Sequence, residues 1–186
     1  MPYNLNIKGM MHEDELKTIE QLAKTVPPNG VIVEVGSFVG RSSVAWAMSV
    51  DRSATVYCYD IFNKNIENND GTISNTWEEF LKNIADFNNV IPVRGITPTT
   101  TGYIDYRSID LFFIDAGHAN PNDWNIIQYF LPFVKSGGII SGHDYSSYLK
   151  GDPIAWPAVN FNVHRLEEMF NKKATISMTL WHLTKP

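Results

Sequence analysis

Polar residues suited to chemistry recur in this chain just after apolar, β-branched or aromatic runs. Asp60 follows Ala54-Thr55-Val56-Tyr57-Cys58-Tyr59, and Ile96-Thr97 follow the run from Val90 to Val93. Asp115 and His118 follow Asp110-Leu111-Phe112-Phe113-Ile114, while His143 and Asp144 come after Ile139-Ile140. Runs of this kind read as buried parallel strands. Carboxylates delivered by strand ends can chelate a divalent cation or accept ribose hydroxyls. An imidazole near its ordinary pKa suits general-base work.

The elements that must position these groups start from Val31-Ile32-Val33-Glu34-Val35, which reads as a buried strand. It runs into a turn, Gly36-Ser37-Phe38-Val39-Gly40, and then into a helix opened by Ser42-Ser43. Strand, glycine turn and helix N-terminus together form a site for a nucleotide-like ligand. Phe38 stands where a dinucleotide fingerprint needs its second glycine, the one that lets backbone approach a pyrophosphate. A ligand with adenosine and a carboxylate, but no pyrophosphate, fits better. Ser42 and the first N–H groups of the helix would hold that carboxylate. Asp60, at the end of the second strand, would take the ribose.

Helical spacing predicts helices over Met11 to Thr25, Ser42 to Met48, Trp77 to Phe87 and Ala158 to Phe170. Asn120 is expected to cap another, with Pro121 at its first position and its end near Phe133. Asn63 to Asn75 reads as a polar loop, and Thr175 to Leu183 as one half-exposed strand without an internal turn signal. Strands alternating with helices predict a Rossmann-like, doubly wound α/β fold. Its sheet is mostly parallel, of six or seven strands, with helices on both faces, in a single domain over residues 1–186. If one C-terminal strand is missing, a homodimer would make it up. Cys58, Trp46 and Trp124 read as core, Arg41 as a local binder, and Glu167 and Glu168 as a solvated helix face.

Composition excludes several classes. The 186 residues carry a net charge of −5 with scattered basic side chains, which argues against nucleic-acid and anionic-membrane partners. Cys58 is the single cysteine, so an internal disulfide or a cysteine-rich zinc site is out. The start of the chain lacks a signal-peptide layout, so cytoplasmic residence is the default expectation.

Taken together, the motifs resemble a known family. Val33-Glu34-Val35-Gly36-Ser37-Phe38-Val39-Gly40-Arg41-Ser42 is similar to the first motif of class I S-adenosylmethionine-dependent methyltransferases, in the catechol and caffeoyl-CoA O-methyltransferase form. Asp110 to His118 and Gly137 to Tyr145 resemble more closely the branch that holds macrolide-sugar and cephalosporin-biosynthesis methyltransferases. The resemblance spans Val31 to Tyr145. It implies that Glu34 and Gly36 line the methionine part of the cofactor S-adenosylmethionine, within a cradle that includes Ser37, Gly40 and Ser42. Asp60 would bind its ribose, and Ile96 and Thr97 would border its adenine. Asp115 would sit beside the sulfonium methyl and the small-molecule hydroxyl acceptor, a sugar or a phenol.

Relatives hold Mg2+ with acids on these loops, and the matching candidates here are Asp115, His143 and Asp144. His143 replaces an acid of the catechol enzymes, so it is a ligand, a general base, or a hydrogen-bond acceptor that does not touch metal. His118 is the other base candidate, unless it only pins its loop. Trp156, Tyr145 and Tyr148 are candidate walls of the acceptor pocket. Two rivals stay open. A nicotinamide-dependent oxidoreductase is weakened because Tyr145 is followed four residues on by Leu149, not lysine. The other is a non-catalytic binding protein on a cofactor fold.

Overall fold

A computed structural model describes residues 6–67, 71–98, 108–146 and 156–186. The β-branched runs form β1 (Val31–Val35), β2 (Thr55–Asp60), β5 (Val90–Arg94), β6 (Ile109–Ile114) and β7 (Val134–Gly142). Two short strands, β3 (Asn65–Glu67) and β4 (Ile73–Asn75), pair antiparallel on their own, where a loop was expected. The helices are α1 (Glu13–Ala23), α2 (Arg41–Ser49), α3 (Thr76–Asn83), α4 (Asn122–Phe130) and α5 (Pro157–Phe170). The chain closes with β8 (Thr175–Ser177) and β9 (Leu180–Thr184).

The main sheet has seven strands in the order β5-β2-β1-β6-β7-β9-β8. β5, β2, β1, β6 and β7 run parallel, while β9 and β8 are antiparallel. The doubly wound fold expected from the sequence is therefore present. Strand order reverses between β1 and β6, where such sheets open a crevice for ligands. Alternation along β6 feeds both faces. Leu111 and Phe113 join the core that holds Leu16, Trp46 and Phe80. Phe112 and Ile114 join the opposite core with Ile127, Phe130 and Leu166, and Ile109 joins them across a register shift between Ile109 and Leu111. Phe112 stacks on Phe130 with ring centroids 5.1 Å apart.

The stretch read as one C-terminal strand is a hairpin, which supplies the seventh strand. Its turn carries Met178 at φ +56°, with neither Gly nor Asn to mark it. The sheet is complete within one chain, which removes the reason for expecting a homodimer. Asn120 does not cap α4. Its Oδ1 accepts from Asn162 Nδ2 on α5 at 3.1 Å, and Pro121 occupies the N-cap. Gly137 and Gly138 lie inside β7. Among the described residues, no helix is long and apolar enough to cross a membrane.

Glu167 also departs from expectation. Its carboxylate accepts from Lys173 Nζ at 2.8 Å and from the Ala174 amide at 2.9 Å, tying the end of α5 to the approach of β8. Burial raises its pKa, but Lys173, the Ala174 N–H and His164 outweigh that and bring it to about 2. A depressed folded-state pKa gives stability that is complete above about pH 4.5 and lost as pH falls toward 2. Glu167→Gln is thus expected to lower stability by about 1–2 kcal/mol at pH 7. In thermal melts its deficit against the parent should shrink as pH falls through that window; a pH-independent gap would refute this.

Candidate active site

The glycine turn is built by close backbone approach. The Gly36 amide donates to Tyr59 O at 2.8 Å, and the Asp115 amide donates to Val35 O at 2.8 Å. Gly36 has φ +94°, and a Cβ there would lie 1.8 Å from Asp115 O. The turn after β1 thus rests directly on the loop after β6. Gly40 is the N-cap of α2 in a left-handed conformation, with no side-chain cap. The first N–H groups of α2 are left for an anion, with the helix dipole behind them.

Asp60 holds this turn from the neighbouring strand. Its Oδ2 accepts from the Phe38 amide at 2.8 Å and its Oδ1 from the Phe62 amide at 2.8 Å. Each carboxylate oxygen can accept a second bond, so ribose hydroxyls can still be received. Ile96 is 67% exposed and Thr97 half-buried just beyond the end of β5.

Glu34 departs from its expected place. It is fully buried, receives Trp46 Nε1 at 3.1 Å and bonds the Ser43 hydroxyl. Burial raises its pKa, against the opposing pull of the Ser42, Ser43 and Ser37 hydroxyls. Its contacts make it a strut between β1 and α2 rather than part of a ligand wall. Ser37 and Ser42 are likewise buried beneath the turn.

The acids and histidines after β6 and β7 meet in one cluster. His118 Nε2 lies 2.6 Å from Asp144 Oδ2 and 3.1 Å from Asp115 Oδ1. One ligand atom from each of Asp115, His118 and Asp144 falls within 4.8 Å of the others, close enough to share a metal ion. His118 has φ +55° and Asp144 φ +63°, so both sit in the left-handed region on their loops. Two carboxylates suit magnesium, and the imidazole widens the choice toward manganese or iron. Burial alone would lower the His118 pKa, but Asp115 and Asp144 raise it to about 9. Asp144 is pushed well below its usual range by the two histidines, against the effect of burial.

His143 is not among these three. It is 7% exposed, and both ring nitrogens face acids. Nδ1 lies 3.3 Å from Asp144 Oδ1 and 3.9 Å from Asp115 Oδ2, while Nε2 lies 3.1 Å from Glu15 Oε2. Burial lowers its pKa, but Asp144 and Glu15 raise it to about 10. With both ring nitrogens engaged by acids and the ring buried, His143 is not turned toward an acceptor. Of the roles expected of His143, its contacts favour hydrogen bonding apart from the cluster, where His118 stands with Asp115 and Asp144.

Glu15 is the residue that sequence reasoning missed. Its acid sits in the first turn of α1, where such residues are ordinary caps, and nothing local marks its long-range contact. Asp123 on α4 was also passed over; it is buried and lines the same crevice as His118. The Trp156 ring stacks on His118 at 4.8 Å and 30° and is 40% exposed. A crevice lined by Ala116, His118, Ile127, Val159 and Trp181 opens beside it. Tyr148 lies outside the described residues. Arg41 binds locally, donating from Nη1 to Gly9 O at 2.9 Å.

A ligand turn at the strand reversal, adjoining an acid–histidine cluster, is the arrangement of an enzyme that brings a nucleoside-bearing donor to an acceptor. The sequence matches the Methyltransferase domain family over residues 33–145. The chain belongs to that family and is an S-adenosylmethionine-dependent methyltransferase. The fold is similar to that of a protein assigned as a caffeoyl-CoA O-methyltransferase from Staphylococcus aureus: 18% identity, TM-score 0.69, over 98% of this chain and 88% of that one. It is also similar to the O-methyltransferase TomG from Streptomyces achromogenes, solved with S-adenosylmethionine, at 16% identity and TM-score 0.64 over 95% and 82%. The calicheamicin methyltransferase CalS11 aligns at 14% identity and TM-score 0.61 over 91% and 77%. No curated protein sequence matches the chain.

Proposed function

We propose that this single-domain enzyme methylates a hydroxyl of a small molecule, a sugar or a phenol, with a divalent cation at Asp115, His118 and Asp144. The observation that carries the reading is the adjacency of Gly36 and Asp115. It sets the donor turn against the loop that carries Asp115 and His118 of the acid–histidine cluster. CalS11, one of the structural neighbours, is described as a TDP-rhamnose 3′-O-methyltransferase, which is in keeping with a sugar acceptor.

S-adenosylmethionine supplies a methyl group already activated on sulfonium. The chain must therefore align donor and acceptor and manage one proton. The uncapped start of α2 receives the donor's carboxylate, and Asp60 receives its ribose. Ile96 and Thr97 border the adenine. Alignment of this kind can contribute up to about 7–11 kcal/mol in model systems. A bound divalent cation lowers the pKa of an acceptor hydroxyl. Asp115, Asp144 and His118 Nε2 are the donor atoms that suit it. Trp156, stacked on His118, walls the acceptor side with an aromatic face.

Calorimetry with S-adenosylmethionine tests the donor site, and saturable binding is expected; no binding at millimolar ligand would sink the reading. Turnover on a panel of sugars and phenols should vanish in excess chelator and return with Mg2+ or Mn2+. Full activity in chelator would instead show that the reaction needs no cation. Binding without transfer to any hydroxyl would favour a non-catalytic protein.

A further inference from the structure

Glu15 reaches the catalytic loops from the far end of the chain. It lies at the third position of α1, where its Oε2 accepts from the His12 amide at 2.9 Å in a capping box. A capping-box glutamate usually faces solvent on a helix surface. This one is buried, at 3% exposure. Its Oε1 accepts from Thr179 Oγ1 at 2.5 Å and from the Thr179 amide at 3.2 Å. Its Oε2 lies 3.1 Å from His143 Nε2. A buried carboxylate survives only when fully paired, and here every partner is supplied by His12, Thr179 and His143.

The chain of contacts ends in the cluster. His143 passes from Glu15 to Asp144 Oδ1 at 3.3 Å, and Asp144 Oδ2 meets His118 at 2.6 Å. Asp144 sits at φ +63°, a conformation its own backbone does not favour. Neighbouring pins must hold it. One is the Tyr145 amide, which donates to Thr179 O at 2.9 Å. The other is His143, clamped between Asp144 and Glu15. The turn of the β8–β9 hairpin and the first turn of α1 thus close on the loop after β7.

We propose that Glu15 is a positioning residue for methyl transfer: it holds His143 against Asp144 and so sets the aim of the Asp144 carboxylate. The proposal rests on the methyl-transfer reading of the cluster. Outer partners of this kind change metal affinity or activity by about 10–100-fold when removed.

The test compares Glu15→Gln with His12→Ala. The first keeps size but loses acceptor capacity; the second weakens the α1 cap and leaves the Glu15–His143 pair in place. Folded Glu15→Gln should lose about 10–100-fold in kcat with the KM for S-adenosylmethionine unchanged. In the ligand-free protein, the 1H–15N signal of the His143 ring should move, as assigned by its loss in His143→Asn. His12→Ala should lower Tm yet keep both kcat and that signal. If Glu15→Gln does not fold, Thr179→Val serves in its place, because Thr179 Oγ1 contacts both Glu15 and His143 Nε2. A kcat within twofold of the parent, an unmoved His143 signal, or an equal loss in His12→Ala would each overturn the proposal. A parent enzyme that neither binds S-adenosylmethionine nor transfers methyl would instead overturn the underlying reading.

Discussion

Asp115→Asn is expected to lower kcat by about 10²–10⁴-fold while leaving the affinity for S-adenosylmethionine within a few fold. The substitution keeps the shape of the side chain, and the β6 loop is held by backbone: the Asp115 amide donates to Val35 O at 2.8 Å. The donor turn therefore keeps its support. What changes is the oxygen 3.1 Å from His118 Nε2. A carboxylate accepts at both oxygens, whereas an amide presents one acceptor and one donor group. The amide would offer a cation one weak, neutral ligand and would no longer place a charge opposite His118. Steady-state kinetics and calorimetry on the same preparation separate the two effects. A kcat within threefold of the parent would remove Asp115 from the reaction. A matching loss of donor affinity would make it part of the donor site instead.

Gly36→Ala should disable the protein more broadly. A Cβ at residue 36 would lie 1.8 Å from Asp115 O and 2.4 Å from its carbonyl carbon, and both are backbone atoms that cannot rotate away. The residue also sits at φ +94°, where an L side chain is strained. Left-handed strain of about 1–2 kcal/mol and overpacking of about 1–3 kcal/mol together give about 3 kcal/mol of destabilisation. For a chain of this size that is a fall in Tm of about 6–12 °C. The clash also drives the Asp115 loop away from the turn, so donor binding and turnover should both be lost in whatever protein folds. Thermal unfolding and S-adenosylmethionine titration check this. A variant with parental Tm and donor affinity would mean that turn and loop do not touch as described.

The local features of the chain were readable because they depend on local backbone physics. Strand runs such as Leu111-Phe112-Phe113 and helical faces such as Leu16, Ile19 and Leu22 follow from side-chain period alone. The turn after β1 declared itself through Gly36 and Gly40, which take positive φ at 94° and 92°. The hairpin at Met178 was missed because its turn residue takes φ +56° without being Gly or Asn. Asn120 looked like a cap, yet its side chain turned to Asn162 across α5, a choice made by packing.

By itself, the sequence determined that several chemically able residues follow strand ends, and that a glycine turn, lacking the glycine a pyrophosphate needs, precedes a helix. Both are consequences of period and turn chemistry within a few residues. Only the tertiary structure decided which of those side chains face one another. His118 joined Asp115 and Asp144, His143 turned back toward Glu15, and Glu34 went under α2 to meet Ser43 and Trp46. The reason is that a side chain's aim depends on partners brought together by folding. The partner of His143 lies on a helix near the other end of the chain, and no local pattern encodes that distance.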